Sequence, residues 1–404
     1  MSNSLAHQIN TEPKHPLSVG CMLLGLAAIP DAMVVPVLKE LTVDRFGVGE
    51  GTAHLFMAVN LLGALLAVAV LALLNRRFSS STLIIVAAMG SCLLMVGMAT
   101  STTWWGMLSL RCIEGGTDLI LLAVPLRVIA AAGSRERYAG RIGAGFTVIM
   151  LSLALGAGIG GGLGEESATA VLWTGAIIML LLTLIAVIVR RTVDNVPRSP
   201  RPAPHHCPLI PKEWLGACFL ALDRGLAALV STSLPILLSS GFAIGSMTLG
   251  FALAGMFLAL AIFATPIGIL ADIYGGYRVR LIAAVLCGVS LAGLGLMAWL
   301  PPVVVLPPCL LVYGVGAAGL MPSAFSVAVR PEASNLVFGS LQAAGQLGYG
   351  IGVLGGMLVI STFALPADDM LSRMFPLAGA AFILLNCLIL FGLRAVDKGV
   401  PEHT

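Results

Sequence analysis

The sequence predicts an all-α membrane protein with 12 transmembrane helices in two pseudo-symmetric six-helix bundles. Three observations carry this reading. Of 404 residues, 58% are hydrophobic and only 10% charged. An ordinary soluble chain carries about 25% charged residues, so too few charges are present to cover a soluble surface. The apolar residues come in runs of about 20, the length at which a helix spans a ~30 Å hydrocarbon core. The runs also divide evenly about one Pro-rich stretch. The same composition excludes disordered, collagen-like and disulfide-scaffold classes. A net charge of +3 leaves no electrostatic footprint for nucleic acid.

The spans are expected at 17–38, 53–74, 82–100, 105–131, 142–163, 170–189, 214–238, 247–270, 281–300, 303–329, 336–363 and 374–394. Leu17–Ile29 could be a signal-peptide core, but Lys14 is its sole positive flank and it reads as the first span. Most loops are short. The stretch 190–213 holds six prolines and five Lys or Arg. Such a stretch cannot continue a helix and acts as a semi-rigid spacer. It separates an N-terminal bundle (1–189) from a C-terminal bundle (214–404), and the equal halves suggest internal duplication. Placing the N-terminus in the cytoplasm puts sixteen of the 22 Lys and Arg, Arg278 and Arg280 among them, in inner segments and three in outer loops. That bias predicts both termini and the linker on the cytoplasmic side, as in a bacterial inner membrane.

Ionisable residues inside a span are expensive and by default functional. Helix 1 carries Asp31; helix 4 carries Arg111, Glu114, Asp118 and Arg127; helix 7 carries Asp223 and Arg224. These are the first helices of successive three-helix units, and repeated units of this kind hold transporter sites near the midplane. At ~1.5 Å per residue, Asp31 and Arg111 both fall about 9 Å below the outer edge of the core. Residues 111, 114, 115 and 118 share one helix face, with Gly115 permitting close approach. Two readings stay open: fixed ion pairs that set packing, with Arg111 joined to Glu114 and Arg224 to a neighbour, or proton carriage. Acids outnumber arginines four to two once Arg127, near the inner interface, is set aside. At least one acid therefore lacks a full-time cation, which favours proton carriage by Asp31 first and by Glu114 and Asp118 next.

Asp223 and Arg224 are candidates for a substrate cavity. So are Tyr313 in helix 10 and the stripe Gln342, Gln346 and Tyr349 in helix 11. Gly314, Gly316 and Gly319 beside Tyr313 read first as close-packing positions. Trp104, Trp105 and Trp214 read as interfacial anchors. The eight cysteines have no metal-ligand spacing, and His205-His206-Cys207 lacks a spaced fourth ligand, so no metal and no cofactor are expected. No P-loop and no Ser/His/Asp set appear, so an enzyme is not expected.

Three local motifs resemble those of the major facilitator superfamily, and the resemblance covers nearly the whole chain. Gly268-Ile-Leu-Ala-Asp272-Ile-Tyr-Gly275, followed by Arg278 and Arg280, resembles the family's loop motif between helices 8 and 9. Its first-half counterpart, Leu71–Phe78, has Asn75 where the acid is expected. Arg111-Cys-Ile-Glu114-Gly115 resembles the helix-4 motif RxxqG. Gly156-Ala-Gly-Ile-Gly160-Gly161 resembles the helix-5 antiporter motif, with Ala157 replacing proline. The last two together resemble the drug:proton antiporter branch. The resemblance implies a proton-transfer role for Arg111 and a coupling role for Asp31. Pseudo-symmetry places Asp272 near Arg141–Gly143, where the dipole of helix 5 and Arg141 would favour an acid and form an inner latch.

The expected function is proton-coupled efflux of a small organic molecule (a drug, siderophore or metabolite) by alternating access. The expected partners are that substrate, protons and the lipid bilayer, with the protein acting as a monomer. A proton symporter for uptake fits the same acids. A receptor, assembly factor or lipid scramblase on the same fold is a further alternative.

Overall fold

The structure is a computed structural model, and it describes residues 16–132, 138–196, 211–328, 335–363 and 365–399. Every expected span is a helix among those residues. In the first half these are α1 (Pro16–Met33), α2 (Leu55–Arg77), α3 (Ser80–Thr100), α4 (Trp104–Ala131), α5 (Tyr138–Gly164) and α6 (Ala168–Ile188). In the second, α7 runs as Pro211–Ala228, a π turn Leu229–Ser233 and a continuation Leu234–Phe242. It is followed by α8 (Ser246–Tyr274), α9 (Gly276–Leu294), α10 (Pro302–Ala328), α11 (Asn335–Phe363) and α12 (Ala367–Gly399). Among the described residues eleven spans are long and apolar enough to cross a membrane; α4 is the helix missing from that set, because its charges interrupt every apolar window. Large apolar side chains such as Ile177, Leu184 and Ile188 on α6 and Ile351 and Leu358 on α11 face outward. A wide apolar exterior around helices whose backbone bonds are internal is what lipid requires.

Each half builds its own apolar core. One core gathers residues from Leu23 to Val196 and Ile236, the other mostly residues from Leu226 to Phe382 with Ala32, Val35 and Ala157. In the first half α1 packs on α5, α2 on α4 and α3 on α6; in the second α7 packs on α11, α8 on α10 and α9 on α12. Local signals set the helix starts: Ser79 accepts a hydrogen bond from the Thr82 amide at 3.2 Å and Thr103 from the Gly106 amide at 3.3 Å, satisfying amides a helix end leaves free.

The first helix of each half is interrupted after 18 residues. Span 1 is therefore not the single straight helix expected. Pro36 lacks an amide and disfavours helix at Val35, so the chain turns at 34–37 and resumes through a π turn, Glu40–Asp44. In α7 the π turn precedes Pro235, which sits at the start of the resumed helix.

Two expectations fail here. Trp104 is no interfacial anchor: it is only 8% exposed, with its ring 5.8 Å from that of Phe46. Arg280 is no inner-loop residue: it is 0% exposed and lies within α9. The expected linker begins with a short ordered helix, Arg190–Asp194, whose Asp194 accepts from the Ser81 amide at 3.0 Å and the Ser81 hydroxyl at 2.6 Å. His205, His206 and Cys207 lie outside the described residues.

The halves meet at the end opposite the termini. There α5 crosses α8, and α11 meets α2 and the turn before it. A Cβ on Gly161 would stand 2.7 Å from the Gly250 Cα, and one on Gly250 would stand 2.5 Å from the Ala157 carbonyl oxygen. The two backbones touch because neither position has a side chain. Ser246 donates to the Gly161 carbonyl at 3.2 Å, and Glu165 accepts from the Met247 amide at 3.1 Å. At the terminal end, Gly20, Gly145, Gly268, Gly276 and Gly345 approach only their own half.

Candidate functional site

The charged face of α4 is seated by glycines. Gly115 lets the α4 backbone approach the α2 backbone at Asn60, and Gly63 does the same at Cys112. That contact brings the Asn60 amide to Asp118, where it donates at 2.9 Å. Arg111, Glu114 and Asp118 are 2%, 0% and 8% exposed. Arg111 donates to Glu114 in a buried ion pair, and its guanidinium lies 4.9 Å from the Phe56 ring centre. The pair is not saturated: Arg111 Nε and Glu114 Oε1 have no hydrogen-bond partner among the described residues. Buried orphans of this kind are uncommon and need an explanation.

Asp31, on α1, faces this cluster and feels the charges of Asp118, Arg111 and Glu114. It is half-buried and makes no hydrogen bond or ion pair among the described residues. Asp31 and the helix-4 charges, expected at one depth, are thus within electrostatic reach of each other.

The second half is arranged differently. Arg280 grips Asp223 with both terminal nitrogens, at 2.8 and 2.6 Å. It also donates to Asn386 Oδ1 at 2.8 and 2.5 Å and to the Leu320 carbonyl at 2.8 Å. Phe219 lies 4.1 Å under the guanidinium. Asn386 in turn donates to the Phe382 carbonyl at 2.9 Å. A bidentate, fully bonded pair of this kind suits a structural strut. Arg224 is left half-buried, with no hydrogen bond or ion pair among the described residues.

Tyr349 of α11 is fixed within the second half. Its hydroxyl lies 2.9 Å from Ser231 Oγ in the α7 π turn. It feels the charges of Arg111 and Asp31, and it acts on Arg224. Tyr313, 4% exposed, also faces Arg224. Gln346 is exposed, and the Gln342 side chain lies outside the described residues. Gly156 and Gly160 of α5 lie against the α1 backbone at Ile29 and Met33, and Gly161 lies against α8. Glycines of α10 do similar work: Gly314 lies against Met256 of α8 and Gly316 against Cys287 of α9.

Residues 20–216 match the sequence model of the Major Facilitator Superfamily. The crystal structure of the nucleoside transporter NupG superposes with a TM-score of 0.66 at 15% identity, over 95% of this chain and 100% of that one. An inward-facing, occupied structure of a bacterial homologue of the human lysosomal transporter Spinster superposes at 0.70 and 12% identity, over 96% and 97%. Its inward-facing, unoccupied form gives 0.69 at 13%, over 95% of each chain. The chain has the major facilitator fold. No curated protein matches it by sequence.

Within the major facilitator fold, the loop motif Gly268–Gly275 forms the junction of α8 and α9. Gly275 turns the chain at φ 89°, a left-handed conformation that favours glycine. Arg278 is exposed beside it; the side chains of Asp272 and Arg141 lie outside the described residues. Among the described residues no group of three or more His, Cys, Asp or Glu is placed to hold a metal. Sequence reasoning missed Asn60, His54, Arg280 and Asn386. One signal was available for Arg280: Asp223 needed a cation, and Arg280 is the arginine nearest the start of an apolar run in the same half.

Proposed function

We propose that the protein is a secondary active transporter that exports a small organic molecule in exchange for protons by alternating access. Asp31 carries this reading. It is an acid inside the bundle without a hydrogen bond among the described residues, within electrostatic reach of an Arg111–Glu114 pair whose Nε and Oε1 also lack partners among those residues. A proton or a substrate cation on Asp31 would satisfy it, and the two would compete. Binding one and releasing the other on opposite faces drives exchange through differential affinity for the two states. The helix-4 and helix-5 motifs support the antiporter branch.

With both termini in the cytoplasm, as the Lys and Arg bias predicts, the joined end is the outer end. The test uses inside-out vesicles with an imposed, dye-reported pH gradient and a panel of organic cations, zwitterions, anions and neutral compounds. A compound that collapses the gradient in wild type and not in Asp31→Asn supports exchange. Accumulation of a compound together with protons in right-side-out vesicles would replace export with uptake.

A further inference from the structure

The two halves present unlike free charges to the space between them. On the first half the free group is Asp31. On the second it is Arg224, whose sequence neighbour Asp223 is held through both oxygens by Arg280. We propose that Arg224 is an anion-binding residue of the cavity, so that the transported molecule carries a carboxylate, sulfonate or phosphate group. This rests on the transport reading above and deepens it by naming the substrate's chemistry.

A cation left without a counter-ion inside a span is strongly unfavourable, and such residues are retained where a ligand or pathway uses them. The strut shows that this half can neutralise a guanidinium completely, since Arg280 has a carboxylate, an amide oxygen and a carbonyl. Arg224 receives none of these. The groups that act on it are Asp223, whose two oxygens are each already bound by Arg280, and Tyr349 and Tyr313. The Tyr349 hydroxyl is engaged with Ser231; that of Tyr313 makes no hydrogen bond among the described residues. A planar fork of donors beside a free phenolic donor matches the oxygens of a planar or tetrahedral anion. The place of the fork is set from behind. Gly345 of α11 lies against the stem, where a Cβ would come 3.2 Å from Arg224 Cγ, so any larger residue would press on the side chain. Tyr349 interacts electrostatically with both Arg224 and Asp31, and on the transport reading above the two charges serve one site.

The experiment uses the purified full chain as wild type, Arg224→Gln and Arg224→Lys. The probes are ring-matched sets differing only in charge: tryptamine, tryptophan and indole-3-propionate; benzylamine, phenylglycine and benzoate; and aryl sulfonates and phosphates. Thermal stabilisation of monodisperse protein is read against probe concentration. Compounds that stabilise wild type should carry an anionic group. Their apparent affinity should fall roughly 10- to 100-fold in Arg224→Gln, the loss expected for a charged hydrogen-bonding partner, and less in Arg224→Lys. Probe-free Arg224→Gln should melt at or above wild type, because an unpaired intramembrane charge has been removed; a structural role would lower it. If Arg224→Gln does not fold, the ranking of the probes and the weakening in Arg224→Lys decide. Three results overturn the proposal: no anionic probe stabilises wild type, cations or neutral compounds stabilise it equally well, or Arg224→Gln keeps full affinity. The vesicle assay separates this from the transport reading. Cations exchanged for protons through Asp31, indifferent to Arg224, keep the exchanger and end the anion site. Arg224-dependent anion binding without proton movement does the reverse.

Discussion

The Nε2 of His54 lies 2.9 Å from the Oγ of Ser233, a hydrogen bond between opposite halves spanning 179 positions of sequence. His54 is 0% exposed. Its Nδ1 lies 2.9 Å from the Glu50 carbonyl, an acceptor only, so Nδ1 carries the proton and Nε2 accepts from the serine hydroxyl. Around this bond, Gly51 admits Ser361, and Gly356 admits both Ser233 and His54.

Removing the bond should loosen the joined end. His54→Ala should speed the labelling of Thr232→Cys by a membrane-impermeant thiol reagent added on that side. Thr232 is 0% exposed and adjoins the bond, so an unchanged rate would show that the bond does not hold the end shut. The background should lack the exposed Cys218 and Cys387.

The Gly161–Gly250 crossing makes a steric prediction. Gly161→Val puts three carbons where the facing backbone already stands 2.7 Å from a Cβ. The joined end should open while each half stays folded. Spin labels at Gly49→Cys and Thr362→Cys, one on each half, should report a longer distance in the valine variant. An unchanged distance would mean that the crossing can yield without parting the halves.

The strut in the second half is a stability element. Asp223→Asn should leave Arg280 short of a counter-charge and destabilise the fold by about 3–5 kcal/mol, as breaking a buried pair does. The paired replacement Asp223→Leu with Arg280→Met should recover much of that loss. The yield and melting temperature of monodisperse protein test both. A double variant no better than the single one would point to a role for the charges beyond packing.

Glu165 caps α8 from the opposite half. Its carboxylate accepts the Met247 amide and faces the positive end of the helix dipole, an interaction of about 0.3–1 kcal/mol. Glu165→Gln should accelerate hydrogen exchange over residues 246–250 and leave the melting temperature nearly unchanged. Exchange at the wild-type rate would show that the cap carries no weight.

The fold was legible in the sequence because lipid imposes one simple rule of length and polarity on every span. The face of Arg111, Glu114 and Asp118 was legible because helical spacing is local. Partners across helices were not. Asn60 is an ordinary polar residue until α2 and α4 are docked through Gly115 and Gly63. Arg280 sits at the edge of an apolar run, where a count of positive charges assigns it to a loop. The adjacent Asp223 and Arg224 invited a local pairing, yet successive positions on a helix point in different directions. Asp223 turns to α9 and Arg224 to α11. Trp104 was misread because an aromatic at a span end is usually interfacial, while here Phe46, at the far end of the broken first span, covers it.

The strut and the cluster together set the net charge held deep in the bundle. Deep in the bundle, Asp31, Glu114, Asp118 and Asp223 face Arg111, Arg224 and Arg280. With every group ionised, one negative charge is left over, and a single bound proton cancels it. An uncompensated charge crossing the membrane field gains or loses about 2.3 kcal/mol per 100 mV. On the transport cycle proposed above, the rocking of the deprotonated, empty carrier would be biased by membrane potential, and that of the singly protonated carrier would be electrically silent.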